Sequence, residues 1–138
     1  MATGTAGTIA RDYNMQMVHY LRKTVTFSDN GAEVTVGWLP SGAAIIPAMS
    51  GVLVTTAFNA GTSNVIDIGG NTGNDDPDEF ATDLALGSRA FVPLDEAGTG
   101  VFVMTADTQV TASVALGGTA ASAGQAEVVI CYIPDNDL

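Results

Sequence analysis

The sequence predicts an all-β domain, an antiparallel sandwich or barrel. Three observations carry that prediction. Apolar residues recur with period two along most of the chain. The alternating stretches lie about 10 to 15 residues apart, with Gly, Pro, Asn and Asp between them. No long helical period and no βαβ alternation interrupts the series.

Residues 1–15, MATGTAGTIARDYNM, show no period and are rich in Gly, Thr and Ala, so they read as an extended N-terminal arm. Residues 16–138 read as a single domain. HYLRKTVTF is its first strand, with Leu21, Val25 and Phe27 on one face. Ser28-Asp29-Asn30-Gly31 is a turn signal. AEVTVGW alternates next, placing Val34, Val36 and Trp38 together on a core-facing or sheet-edge row. In AAIIPAMSGVLVTTAF, Pro47 and Gly51 predict two short strands or one bent strand. NVIDIG puts Ile66 and Ile68 on one face and Val65 and Asp67 on the other. GGNTGNDDPDEF follows, a dense acidic stretch. EFATDLALG spaces Phe80, Leu84 and Leu86 in a loosely helical way, which predicts one short helix or turn ending at Gly87. RAFVPL and GVFVM are short strands. TQVTASVAL alternates most cleanly, with Val110, Ala112, Val114 and Leu116 inward and Thr111, Ser113 and Ala115 outward. QAEVVICYI is apolar almost throughout, as a central strand buried on both faces would be.

At 138 residues and 46% apolar content the chain is long and apolar enough for a real core. Only 14% of residues are charged, where about 25% is usual, and Gly and Thr (16 of each) take their place. Such a weakly hydrated surface suits packing against other subunits. Net charge is −11. An acidic chain repels nucleic-acid phosphate and anionic lipid, so no nucleic-acid or membrane partner is expected. The charge is lopsided: side chains before residue 24 sum to +2 and the rest to −13. With the single cysteine Cys131 no internal disulfide can form. The first 23 residues hold no apolar signal core, and no apolar run approaches the ~18 residues of a membrane span, so a soluble protein made in a cytoplasm is expected.

Candidate chemistry is sparse, and no enzyme activity and no cofactor are expected. His19 is the only histidine, too few for a converging metal site, and reads as structural or as an interface residue. Cys131 sits between Ile130 and Tyr132 without basic neighbours, as a small apolar side chain. No GxSxG, GxGxxG or GxxxxGK[ST] pattern occurs in its required context. Asp95-Glu96 reads as a solvated turn. Trp38 reads foremost as packed, with ligand stacking as the alternative. For the acidic stretch the leading reading is a helix cap: Asp76 at the N-cap, Pro77 in the first position, Asp78 and Glu79 in the first turn. Two alternatives stay open. One is a calcium loop using Asn71, Asn74, Asp75, Asp76, Asp78 and Glu79; the other is a plain solvated connection. The weak metal candidates are thus Asp75, Asp76, Asp78 and Glu79.

From Leu39 onward the order of strand and turn phrases is LPSGAAI, TTAFNAGTSNVIDIGG, DPDEFATDL and ADTQVTASVALGGTAASAGQAEVVICYIP. In that order the chain resembles the small jelly-roll cement, or capsid decoration, proteins of tailed bacteriophages. The likeness spans about 100 of 138 residues, and the arm carries little of it. It implies an antiparallel jelly-roll sandwich of about eight strands with at most one short helix. It also implies a structural role: binding the outer surface of a phage capsid, made in the bacterial host cytoplasm, and tying major capsid proteins together. The implied partners are the major capsid protein and further copies of the chain, as a dimer or trimer. The expected partner-binding residues are Arg11, Tyr13, Met15, Met17, His19, Tyr20, Arg22 and Lys23, a mildly basic segment with the adaptable and aromatic side chains that interfaces favour. A carbohydrate- or receptor-binding module of a phage tail or fibre is the alternative, with Trp38 as its main candidate.

Overall fold

The computed structural model describes residues 17–72, 74–96 and 102–135. Nine strands form among them: β1 (His19–Thr26), β2 (Glu33–Leu39), β3 (Ala44–Ile45), β4 (Gly51–Thr56), β5 (Ser63–Thr72), β6 (Asn74–Ala85), β7 (Phe91–Pro93), β8 (Thr108–Gly117) and β9 (Gln125–Ile133). All strand pairings are antiparallel. The first sheet runs β1-β9-β4-β7, with β3 also on β9, and the second runs β2-β8-β5-β6. The first strand lies beside the last, and each sheet draws strands from both halves of the chain. This is the connectivity of an eight-stranded jelly roll, with the two-residue β3 as the ninth strand.

The alternating residues fill the space between the sheets. Val25, Val52, Val128 and Ile130 from the first sheet meet Leu39, Ile66, Ile68 and Val110 from the second, all fully buried. Phe80 adds an edge-to-face contact with Phe102, centroids 5.5 Å apart. Pro47 splits the predicted bent strand as expected: β3 and β4 follow one another along β9, separated by a 3₁₀ turn at Pro47–Met49. Ser50 bridges the gap. Its buried hydroxyl donates to the Ile46 carbonyl (2.8 Å) and accepts from the Cys131 N–H (2.8 Å). Of GVFVM, the described residues contribute a single bridge, Val103 to Ala44.

β-Bulges overturn two expectations. No helix follows the acidic stretch, so Asp76 is no N-cap. Residues 74–85 are the long strand β6. Against Ile66 and Ile68 of β5 stand Leu84 and Ala81 of β6, so β6 carries an extra residue there, and Asp83 takes a left-handed φ of 53°. The insertion sets Ala81 and Leu84, three residues apart, on one buried face, which imitates a helical period. Trp38 is the second case. Thr35 pairs with Thr111 but Gly37 with Val110, so Val36 is bulged and the alternation changes sign. Leu39 turns inward (0% exposed) and Trp38 turns out (58% exposed).

Candidate functional site

Arg11, Tyr13 and Met15 lie outside the described residues. Met17 leads into β1 and is 60% exposed. Along β1 the remaining candidates separate by parity. Tyr20, Arg22 and Thr24 point to the outer face of the first sheet. His19 and Lys23 fall on the other side, with Leu21 and Val25. His19 stands opposite Tyr132, ring centroids 5.7 Å apart. The basic segment is therefore an edge strand whose two faces do different things.

The outer face continues across the sheet. Tyr20 pairs with Cys131, Arg22 with Val129, and Thr24 with Glu127; Leu53 of β4 stands between Glu127 and Phe91 of β7. Tyr20, Leu53 and Phe91 are exposed, and Val129 and Cys131 half-buried. Among them sits one charge pair. The Arg22 Nε–H donates to Glu127 Oε1 (2.7 Å), and the Thr24 hydroxyl donates to Oε2 (2.7 Å). Burial pushes the Glu127 carboxyl up, but the two hydrogen bonds and the Arg22 charge outweigh it and hold it below the ordinary range. The Arg22 guanidinium is raised, chiefly by its bond to Glu127. Leu53, Phe91, Val129 and Glu127 were not among the sequence candidates. The signal for them was nonetheless present. QAEVVICYI is apolar on both faces, yet the described chain covers only one.

The second sheet has the opposite character. Its strands carry seven acids and no base: Glu33, Asp67, Asp75, Asp76, Asp78, Glu79 and Asp83. The first sheet's strands carry Arg22 and Lys23 against Glu127 alone, and Arg89 lies just before β7. Asp67 Oδ1 accepts from the Asp83 N–H (2.7 Å) and so holds the β6 bulge. The Asp78 carboxyl is pushed up, first by its hydrogen bond with Asp76 and then by burial. A Cβ on Gly69 would run into the Asp76 carbonyl oxygen and the Pro77 backbone, so glycine lets β6 cross closely over β5. Thr111, expected outward, pairs with Gly69 and is 2% exposed. Among the described residues no group of three or more acids, histidines or cysteines is placed to hold a metal ion, and the Asp75 side chain lies outside them. None of the described helices is long and apolar enough to cross a membrane.

A third feature lies at the end of β2. Trp38, Leu39, Pro40 and Asp107 line a shallow open pocket of about 320 Å³. Gln109 stands directly opposite Trp38 in the ladder and donates to the Thr35 hydroxyl (3.0 Å). Asp107 Oδ1 accepts from the Ser41 N–H (2.9 Å).

The chain matches no family model and no curated protein. Two solved structures share its fold. One is a chain in the structure described as the cyanophage Pam1 capsid asymmetric unit: TM-score 0.60, 18% identity, covering 87% of this chain and 86% of that one. The other is a chain in the capsid of Ralstonia phage GP4: TM-score 0.60, 16% identity, covering 87% and 84%.

Proposed function

We propose that the chain is a structural component of a phage virion, a cement protein that binds the outer capsid surface and stabilises contacts between major capsid proteins. One observation carries this reading. Among the described residues the outer face of the first sheet is apolar around the Arg22–Glu127 pair and uncovered, while the strands of the opposite sheet carry seven acids and no base. Such a molecule has a side to dock with and a side to leave in water. The shared fold with chains of two phage capsid structures supports the same reading.

On this reading the face around Tyr20, Leu53, Phe91 and Val129 packs on the shell, and the arm at 1–15 extends the contact to a neighbouring subunit. Arg22, still largely exposed beside its bond to Glu127, answers acidic groups on the shell. The acidic second sheet faces outward and keeps particles apart. The chain acts as a homo-oligomer, dimer or trimer, so that several modest contacts combine through effective concentration. The role needs no catalysis, cofactor, nucleic acid or membrane.

Co-sedimentation with shells stripped of the protein tests the proposal. The intact chain pellets with shells and stays in solution without them. Deleting Met1 to Tyr13 leaves a folded body that no longer decorates shells. The double variant Leu53→Glu/Phe91→Glu melts as the parent does and loses at least about tenfold in occupancy, as removal of two central apolar contacts should cause. Failure of the intact chain to pellet with shells overturns the proposal. Full occupancy by the double variant removes the sheet face from it, and full occupancy by the truncated chain removes the arm.

A further inference from the structure

We infer that the pocket at the end of β2 is a binding site for a neutral saccharide, with Trp38 as its platform. This inference is independent of the docking proposal, because the pocket lies on the other sheet.

The bulge at Val36 places the indole in water, 58% exposed, with its face open to a ligand. Leu39 and Pro40 line the pocket beside the indole, and the polar groups at its margin are already ordered. Asp107 spends Oδ1 on the Ser41 N–H, which pins the carboxylate and leaves Oδ2 as an acceptor. Gln109 spends its amide N–H on Thr35, which leaves Oε1 as a second acceptor beside the ring. An apolar plate with two fixed acceptors at its margin is complementary to a pyranose. The sugar's C–H face covers the indole, and its hydroxyls donate to the two oxygens. Because both acceptors are held before binding, little ordering cost remains for the complex. A volume of about 320 Å³ fits one or two sugar rings, not a protein segment. Charge narrows the class further. Asp107 lines the pocket, and the second sheet's strands hold no base, so sialylated, uronic or phosphorylated ligands are repelled.

Trp38 is the only tryptophan in the chain, so its fluorescence reports this site alone. The intact protein is titrated with lactose, cellobiose, maltose and N-acetylglucosamine, and with 3′-sialyllactose as the charged counterpart of lactose. The expected result is a saturable change in emission with at least one neutral sugar. Among the binders, any lactose response falls at least tenfold on sialylation. Gln109→Ala weakens binding by about tenfold, the loss of one hydrogen bond to an uncharged acceptor. Trp38→Ala abolishes saturation-transfer signals from the sugar protons while the circular dichroism spectrum is unchanged; Trp38→Phe retains them in weakened form. No saturable response to any neutral sugar overturns the inference. So does an equal response to sialyllactose, or an emission change that follows protein concentration and not sugar, which would assign the indole to contact between copies.

Discussion

Glu127 occupies the middle of an otherwise apolar sheet face, its side chain only 9% exposed, and its two oxygens are both taken by β1 donors. The folded carboxyl is held below its unfolded value, so the folded state binds its proton less readily. The stabilisation is therefore complete above the ordinary glutamate pKa of about 4.3 and is lost as pH falls through the depressed folded value. Glu127→Gln should lower Tm by a few degrees at pH 7, and the gap between variant and parent should close at acid pH. A gap independent of pH would mean that the charge does not matter. Asp78 predicts the opposite sign. Its folded carboxyl is raised by Asp76, so the pair disfavours folding when both are ionised, and protonation relieves it. Asp78→Asn should raise Tm at pH 7, with the gain shrinking as pH drops through the carboxylate range. Thermal melts of both variants across pH 3 to 8, roughly the span over which carboxylates titrate, distinguish the two cases.

At the level of the strand, the fate of each sequence reading followed from whether its alternation ran unbroken. β1, β5 and β8 keep period two over their core-facing residues, and Val25, Ile66, Ile68, Val110 and Val114 are buried as read. β2 and β6 break it. One extra residue at Val36 reverses Trp38, and extra residues in β6 give a strand the spacing of a helix. Neither bulge has a sequence mark as plain as a glycine-asparagine turn, because what sets it is the partner strand. Asp83 holds its left-handed φ with help from Asp67, a partner 16 residues away. The acidic run drew attention as a loop for the same reason: its covering of the second sheet depends on Gly69 of β5. The break between β3 and β4 was legible, because Pro47 removes a donor wherever it sits. Its repair by Ser50 was not. Ser50→Ala should cost about 1–3 kcal/mol in chemical denaturation, since it takes the acceptor from the Cys131 N–H, while the Ile46 carbonyl keeps the Met49 N–H. A cost near zero would show that water takes over the lost bond.

Across the whole molecule the two sheets are distinguished more by what they leave outside than by what they bury. Both contribute aliphatic side chains to one core, yet one outer face carries Tyr20, Leu53, Phe91 and Val129 and the other strand set carries seven acids. The lopsided charge visible in the sequence pointed to the first 23 residues as the place of contact. Folding extends that idea, because β1 brings Arg22 onto one face with β9 and, beyond it, β4, whose outward apolar residues come from distant parts of the chain. If docking uses this face, binding to shells has a fixed orientation that labelling can read. Carbodiimide should modify Asp78 and Asp83 equally in free and shell-bound protein, since both are exposed on the sheet turned to water. Hydroxyl-radical oxidation of Tyr20, Leu53 and Phe91 should fall several-fold on binding, as it does for side chains at the desolvated centre of an interface. Because Arg22 lies on the docking face and Arg89 just before β7, occupancy should also decline as salt is raised from about 0.05 to 0.5 M, while the apolar contacts leave a residual that salt does not remove. Protection of Asp78 and Asp83 with Tyr20 still fully oxidised would reverse the orientation. It would also require a shell surface basic enough to meet seven acids, a different partner from the one the apolar face fits.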